Sequence, residues 1–159
     1  MYYKEFEIRW SDIDANRHLA NSAYINFMSH TRMSFLIDHG LDQRKMAQYK
    51  IGPVVFFEHV YYFKESFQGQ KIRVSFELGG MSKDGMFFRF LHNFYDPKGR
   101  NLAFCEMQGG WLDLQTRKLS SMPEGLMKLW NEVPKADNFV WLTKEDMRRG
   151  TIMPNDISF

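Results

Sequence analysis

The stretch "SAYINFMSHTRMSFLIDHG", residues 22–40, decides the fold. It contains no Pro and no Gly before Gly40, and Arg32 and Asp38 are its only full charges. Apolar side chains fall nearly all round a helical projection: Ala23, Tyr24, Ile25, Phe27, Met28, Met33, Phe35, Leu36 and Ile37. A helix apolar on most sides has to be covered on most sides, so residues 22–38 read as a buried helix. His39 and Gly40 end it, with Gly free to take the left-handed cap.

The cover comes from strands. Upstream, Tyr3 to Trp10 is short, aromatic and β-branched, and reads as a first strand. Downstream, residues 54–67 are rich in Val, Phe and Tyr. Residues 71–79, "KIRVSFELG", place Ile72, Val74, Phe76 and Leu78 on one face, and Lys71, Arg73, Ser75 and Glu77 on the other. "SKDG" (82–85) turns the chain into "MFFRFLHNFY" (86–95), and "DPKG" (96–99) turns it again. A last long strand, "NLAFCEMQGGWLDL" (101–114), carries Gly109 and Gly110 in its middle, which predicts a bulge or bend there. "SMPE" (121–124) fits a capping box ahead of Leu126, Leu129, Trp130 and Val133 at helical spacing. Residues 134–159 pattern weakly and read as loops with one short helical turn. One apolar helix and one long run of antiparallel strands define an α+β protein whose curved sheet wraps a central helix.

Totals agree with one domain. With 159 residues the chain can bury roughly two thirds of its unfolded surface. Hydrophobic residues make up 44% and charged residues 25%, the balance of a soluble globular protein. A formal charge of +2 gives no argument for nucleic acid, yet would not repel a phosphorylated ligand. Cys105 is the single cysteine, so an intrachain disulfide and a cysteine zinc cluster are excluded. The start, "MYYKEFEIRW", lacks the continuous apolar core of a signal peptide, and no window is apolar enough to cross a bilayer. The expected location is the cytoplasm, with no membrane insertion.

Immediately ahead of the helix lies "SDIDANRHLAN", residues 11–21, with two aspartates, two asparagines and a histidine. A calcium loop needs Gly at its sixth position and Glu at its twelfth; counting from Asp12 these are Arg17 and Ala23, so that reading fails. Helix capping by Asn21 or Ser22 accounts for one residue or two, not for Asp12, Asp14 and His18. A third reading makes the helix start a working surface. Its free N–H groups and positive dipole end would polarise a carbonyl, and a carboxylate such as Asp14 could attack that carbonyl or activate a water. On spacing alone, Asp14 as a turn former bonding its own backbone competes with this.

The segment "DIDANRHLANSAY" (12–24) resembles the signature of hotdog-fold acyl-CoA thioesterases of the 4-hydroxybenzoyl-CoA thioesterase type, roughly D-x-D-x-x-G-H-V-N-N-x-x-Y. Asp12, Asp14, His18, Leu19, Asn21, Tyr24 and Arg32 match. "VYYFKESFQGQKIRVSFEL" (60–78) and "DLQTRKLSSMPEGLMKL" (113–129) are similar to later parts of that family. The likeness spans residues 3–133, so the expected division is a thioesterase-like domain over 1–133 and a tail, 134–159, packed on it. Arg17 stands where Gly is usual and Ala20 where Asn is usual; Glu65 and Ser66 fall where Pro is common.

The resemblance implies a hotdog fold and hydrolysis of an acyl-CoA, or alternatively an acyl carrier protein thioester, without metal or organic cofactor. It implies Asp14 as the catalytic carboxylate and the backbone N–H near Asn21 as carbonyl donor, with His18 and Tyr24 positioning. Glu58 is a reserve carboxylate; Lys64 and Arg17 are candidate contacts to CoA phosphates. A homodimer, or a dimer of dimers, is expected. The alternative from another class is a hotdog protein that binds an acyl thioester or lipid without cleaving it; a hydratase or dehydratase on this fold lacks its signature here. Cys105, inside "LAFCEM", reads as a buried hydrophobe. His59 reads as a polar strand residue, and His30 and His39 as helix packing residues. Met28, Phe56 and Phe57 are candidates to line an acyl tunnel. No G-x-S-x-G, GxGxxG or P-loop is present.

Overall fold

The computed structural model describes residues 1–147 and 152–158. Its elements are β1 (Tyr2–Glu7), α1 (Asn21–Asp38), α2 (Gln43–Tyr49), β2 (Ile51–Tyr62), β3 (Lys71–Met81), β4 (Phe87–Tyr95), β5 (Asn101–Asp113), α3 (Glu124–Met127) and β6 (Lys135–Trp141). Short 3-10 turns sit at Trp10–Asp12, Lys128–Asn131 and Glu145–Met147. The sheet has six strands, ordered β1-β3-β4-β5-β2, antiparallel throughout that path, and β6 joins β3 in parallel. This is the curved α+β hotdog architecture.

The strand alternation in β3 holds: Ile72, Val74, Phe76 and Leu78 are all buried beneath α1 and its continuation. Phe35 of α1 packs on Phe76 with ring centroids 5.1 Å apart, and Tyr24 packs on Phe94 at 4.9 Å. Beyond the end of α1, Trp111, Trp130, Phe88 and Phe90 close the other half of the concave face. Each buried aromatic contributes about 1.5–3 kcal/mol over leaving it exposed, so this second cluster secures the far half of the sheet.

Several local expectations are corrected. Helix α1 buries one face, Ala23, Tyr24, Phe27, Met28, Thr31, Arg32, Phe35 and Leu36, while Ser22, Asn26, His30 and Ile37 remain exposed, because the sheet covers one side only. The first strand ends at Glu7, and the second runs over Ile51–Tyr62, its last expected residues forming a loop instead. The extra residue of the predicted bulge lies on β2, at Phe56, opposite Gly109. Gly109 is needed by close approach, since a Cβ there would collide with Val54 O. No capping box forms at Ser121 and Glu124: Pro123 precedes α3 and Ser121 Oγ bonds Asp84 Oδ2 at 3.0 Å. Helix α2 and strand β6 were not expected. The short helical turn expected within 134–159 falls at Glu145–Met147, and residues 148–151 and 159 of that segment lie outside the described residues. No helix among the described residues is long and apolar enough to cross a membrane.

Candidate active site

Two loops build the site, one ahead of α1 and one between β2 and β3. In the first, Asp12 receives three hydrogen bonds from Arg9: its N–H at 2.9 Å, Nε at 3.0 Å and Nη2 at 2.9 Å. These bonds hold the Asp12 carboxyl below the usual carboxylate range despite its burial. Asp12 is therefore a structural anchor. Its carbonyl accepts from Ala20 N at 2.8 Å, Asp14 N donates to His18 O at 2.9 Å, and Ile13 bridges Leu19. The segment thus doubles back as a tight hairpin and returns Asp14 to the start of α1.

Asp14 Oδ1 accepts from Asn16 N at 2.8 Å and His18 N at 3.2 Å. The turn-forming role is real, and it uses one oxygen; Oδ2 has no protein donor among the described residues. The second loop is tied to the first by Leu19 N donating to Ser66 O at 2.7 Å. His18 Nε2 lies 3.5 Å from Glu65 Oε1, and its ring meets Phe67 edge-on at 5.4 Å.

Between the loops and the helix start lies a cavity of about 360 Å³, lined by Asp14, His18, Asn21, Tyr24, Lys64 and Ser66 among others. Five of the residues singled out in the sequence are brought together here. Two are not. Glu58 faces α1 from β2, with its Oε1 3.5 Å from Arg32 Nη1, outside the cavity lining. Arg17 lines a neighbouring cavity that meets the first at Asp14.

The helix start differs from the capped end expected of Asn21 or Ser22. Ala20 occupies the cap position with extended backbone and no side-chain acceptor, and no acidic residue stands in the first turn. Among the described residues no side chain caps the N–H groups of Asn21 and Ser22, so they can donate to a ligand oxygen. Ser66 is the residue that sequence reasoning missed. It is 1% exposed, its Oγ completes no hydrogen bond, and it lines the same cavity beside Tyr24. A lone serine in a loop gives no signal of this in sequence. Burial pushes the Tyr24 phenol up, partly offset by the nearby Ser66 hydroxyl, so Tyr24 is a neutral donor at neutral pH.

A second polar cluster lies deeper, between α1 and the sheet. Arg32 Nη2 donates to Ser29 Oγ at 3.0 Å, and Nη1 is 3.4 Å from His92 Nε2. His92 Nδ1 is 2.6 Å from Ser75 O, which fixes the proton on Nδ1 and leaves Nε2 as acceptor for Arg32. Burial, then Arg32, pushes the His92 imidazole down to about 3. Burial, then Glu58, pushes the Cys105 thiol up to about 12, so it stays protonated and unreactive.

A family model described as the thioesterase-like superfamily matches residues 8–129. The chain belongs to that superfamily. Among solved structures it is similar to a 1,4-dihydroxy-2-naphthoyl-CoA thioesterase from Synechocystis, with TM-score 0.73 and 12% identity over 82% of this chain and 96% of that one. It is similar to a hypothetical protein from Staphylococcus aureus in complex with CoA, with TM-score 0.76 and 16% identity over 96% and 95% of the two chains. A gentisyl-coenzyme A thioesterase aligns with TM-score 0.69 and 16% identity, covering 78% of this chain and 98% of that one. No match is found among curated proteins.

Proposed function

We propose that the protein hydrolyses an acyl-CoA thioester to a free acid and CoA, at the cavity where Asp14 meets the start of α1. One observation carries this reading: a carboxylate with a spare oxygen, an uncapped helix start and a buried hydroxyl that lies beside Tyr24 without completing a hydrogen bond share one small cavity. The superfamily and the two neighbours named as CoA thioesterases support the substrate class.

The thioester carbonyl oxygen accepts from the N–H groups at Asn21 and Ser22, where negative charge grows as the carbon becomes tetrahedral. Ser66 Oγ lends a further hydrogen bond from its dry position. Asp14 either attacks the carbonyl carbon or takes a proton from the water that does so. The C–S bond then breaks. In the direct route this leaves an Asp14–acyl anhydride, which water hydrolyses to the free acid and the restored carboxylate while the thiolate takes up a proton. In the water route the departing thiolate recovers the proton from Asp14. His18 and Tyr24 hold the loop and the helix entrance. Neither step draws on Glu58.

We also propose a homodimer paired through β2. This strand is twelve residues long, ends the sheet, and exposes Val55, Phe56, Tyr61 and Tyr62. An open edge of that length and character calls for a partner. Tyr61→Lys is expected to shift the protein toward monomer in sedimentation velocity.

Thiol release from a panel of aliphatic and aromatic acyl-CoAs tests the activity. Turnover of at least one member is expected. Tight binding with no thiol release from any of them would establish a binding module instead.

A further inference from the structure

We propose that Trp10, Phe67 and Arg17 form the subsite for the nucleotide end of the CoA thioester, on the opposite side of Asp14 from Lys64. This rests on the hydrolase reading for the position of the thioester. A second cavity, about 550 Å³ in volume, is lined by Trp10, Ile13, Asp14, Arg17, Phe67 and Gln68. It shares Asp14 with the first cavity, so a ligand reacting at that carboxylate has one arm in each. The first arm is backed by buried Tyr24 and Leu19, and the second is walled by the exposed side chains of Trp10, Arg17 and Phe67.

Its wall suits a purine and its phosphates. Trp10 is 78% exposed, an unusual place for an indole, and the 3-10 turn that carries it is fixed by the Arg9–Asp12 bonds. A held, open aromatic face stacks on a base at little ordering cost. Phe67 presents a second exposed ring to the same cavity.

Arg17 provides the charge. Its φ is 65°, a left-handed conformation that glycine adopts freely and a side chain only with strain. Its guanidinium has no ion pair or hydrogen bond among the described residues, whereas the nearby Arg9 is occupied by Asp12. A strained backbone that carries an unpartnered cation at a cavity wall is explained by an anionic ligand. The planar guanidinium fits phosphate oxygens in pairs.

Two readouts test this with Trp10→Ala, Arg17→Gly and Lys64→Ala. The first is calorimetric binding of free CoA, which needs no turnover. The second is the ratio of kcat/KM for one acyl-CoA to that for the same acyl group on N-acetylcysteamine, which lacks the nucleotide. Trp10→Ala and Arg17→Gly are each expected to weaken CoA binding about tenfold and to lower the ratio similarly. Arg17→Gly relieves the strain and is expected to melt no lower than wild type, which separates lost binding from lost folding. If wild type binds no CoA, if both variants bind it as wild type does, or if only Lys64→Ala loses affinity, the subsite is wrong. A protein that binds CoA through Trp10 and Arg17 yet cleaves no thioester would refute the hydrolase reading and leave the subsite standing.

Discussion

Helix α1 carries a polar cluster at its start and another at its middle, and the two are finished in opposite ways. Around Arg32 the groups close on one another: guanidinium to Ser29, Glu58 and His92, and imidazole to Ser75 O. At the start of the helix they do not. Asp14 has a spare oxygen, Ser66 Oγ has no completed bond, and the first-turn N–H groups have no side-chain cap. Asp14 and the first-turn N–H groups are open to solvent and to a ligand, while Ser66 is buried; leaving its hydroxyl unpaired costs stability, which a ligand can recover. On the proposed reading, the sealed cluster serves the architecture and the open one serves chemistry.

If that contrast is right, substitutions in the two places fail differently. Asp14→Asn is expected to lower kcat/KM for the best acyl-CoA about a thousandfold, with the melting temperature within a degree or two of wild type. Arg32→Ala is expected to cost about 3 kcal/mol in urea unfolding, because it strands half-buried Glu58 and the bare nitrogen of His92. A stability loss in the first variant, or none in the second, would erase the distinction.

Acid sharpens it further. In the unfolded chain His92 takes a proton near the ordinary imidazole value of 6.5, whereas burial and then Arg32 push this down to about 3 in the folded protein. Between those limits the unfolded chain holds the extra proton, so stability falls as pH falls, by about 1.4 kcal/mol per pH unit from this one group. His92→Gln is expected to flatten the slope of stability against pH below 6.5, as followed by chemical denaturation; an unchanged slope would move its origin elsewhere. The smallest effect belongs to Ser66→Ala. It is expected to reduce kcat about tenfold while leaving stability equal or slightly higher, since it removes a buried hydroxyl that the protein itself does not satisfy.

The fold was legible because its signals are periodic. An apolar helix without Gly or Pro and the strict alternation of β3 leave few arrangements. Helix α2 was hidden because "QRKMAQY" buries only Met46 and relies on a local cap, Asp42 Oδ1 accepting from Lys45 N at 2.8 Å. Strand β6 is mostly exposed and pairs in parallel with a strand more than fifty residues earlier, which leaves no local trace. At the site, Asp14, His18, Asn21 and Tyr24 lie within one motif and could be read together. The contribution of Ser66 depends on a loop meeting that motif from the far end of β2. The pairing of Arg32 with His92 spans sixty residues and exists only in three dimensions.

A crystal structure of Asp14→Asn with a slowly cleaved acyl-CoA bound tests the central claim most directly. The thioester oxygen is predicted to lie within hydrogen-bonding distance of the N–H of Asn21 or Ser22, with residue 14 beside the carbonyl carbon. A thioester seated elsewhere, as in a third cavity lined by His59, Tyr61 and Phe104, would contradict it.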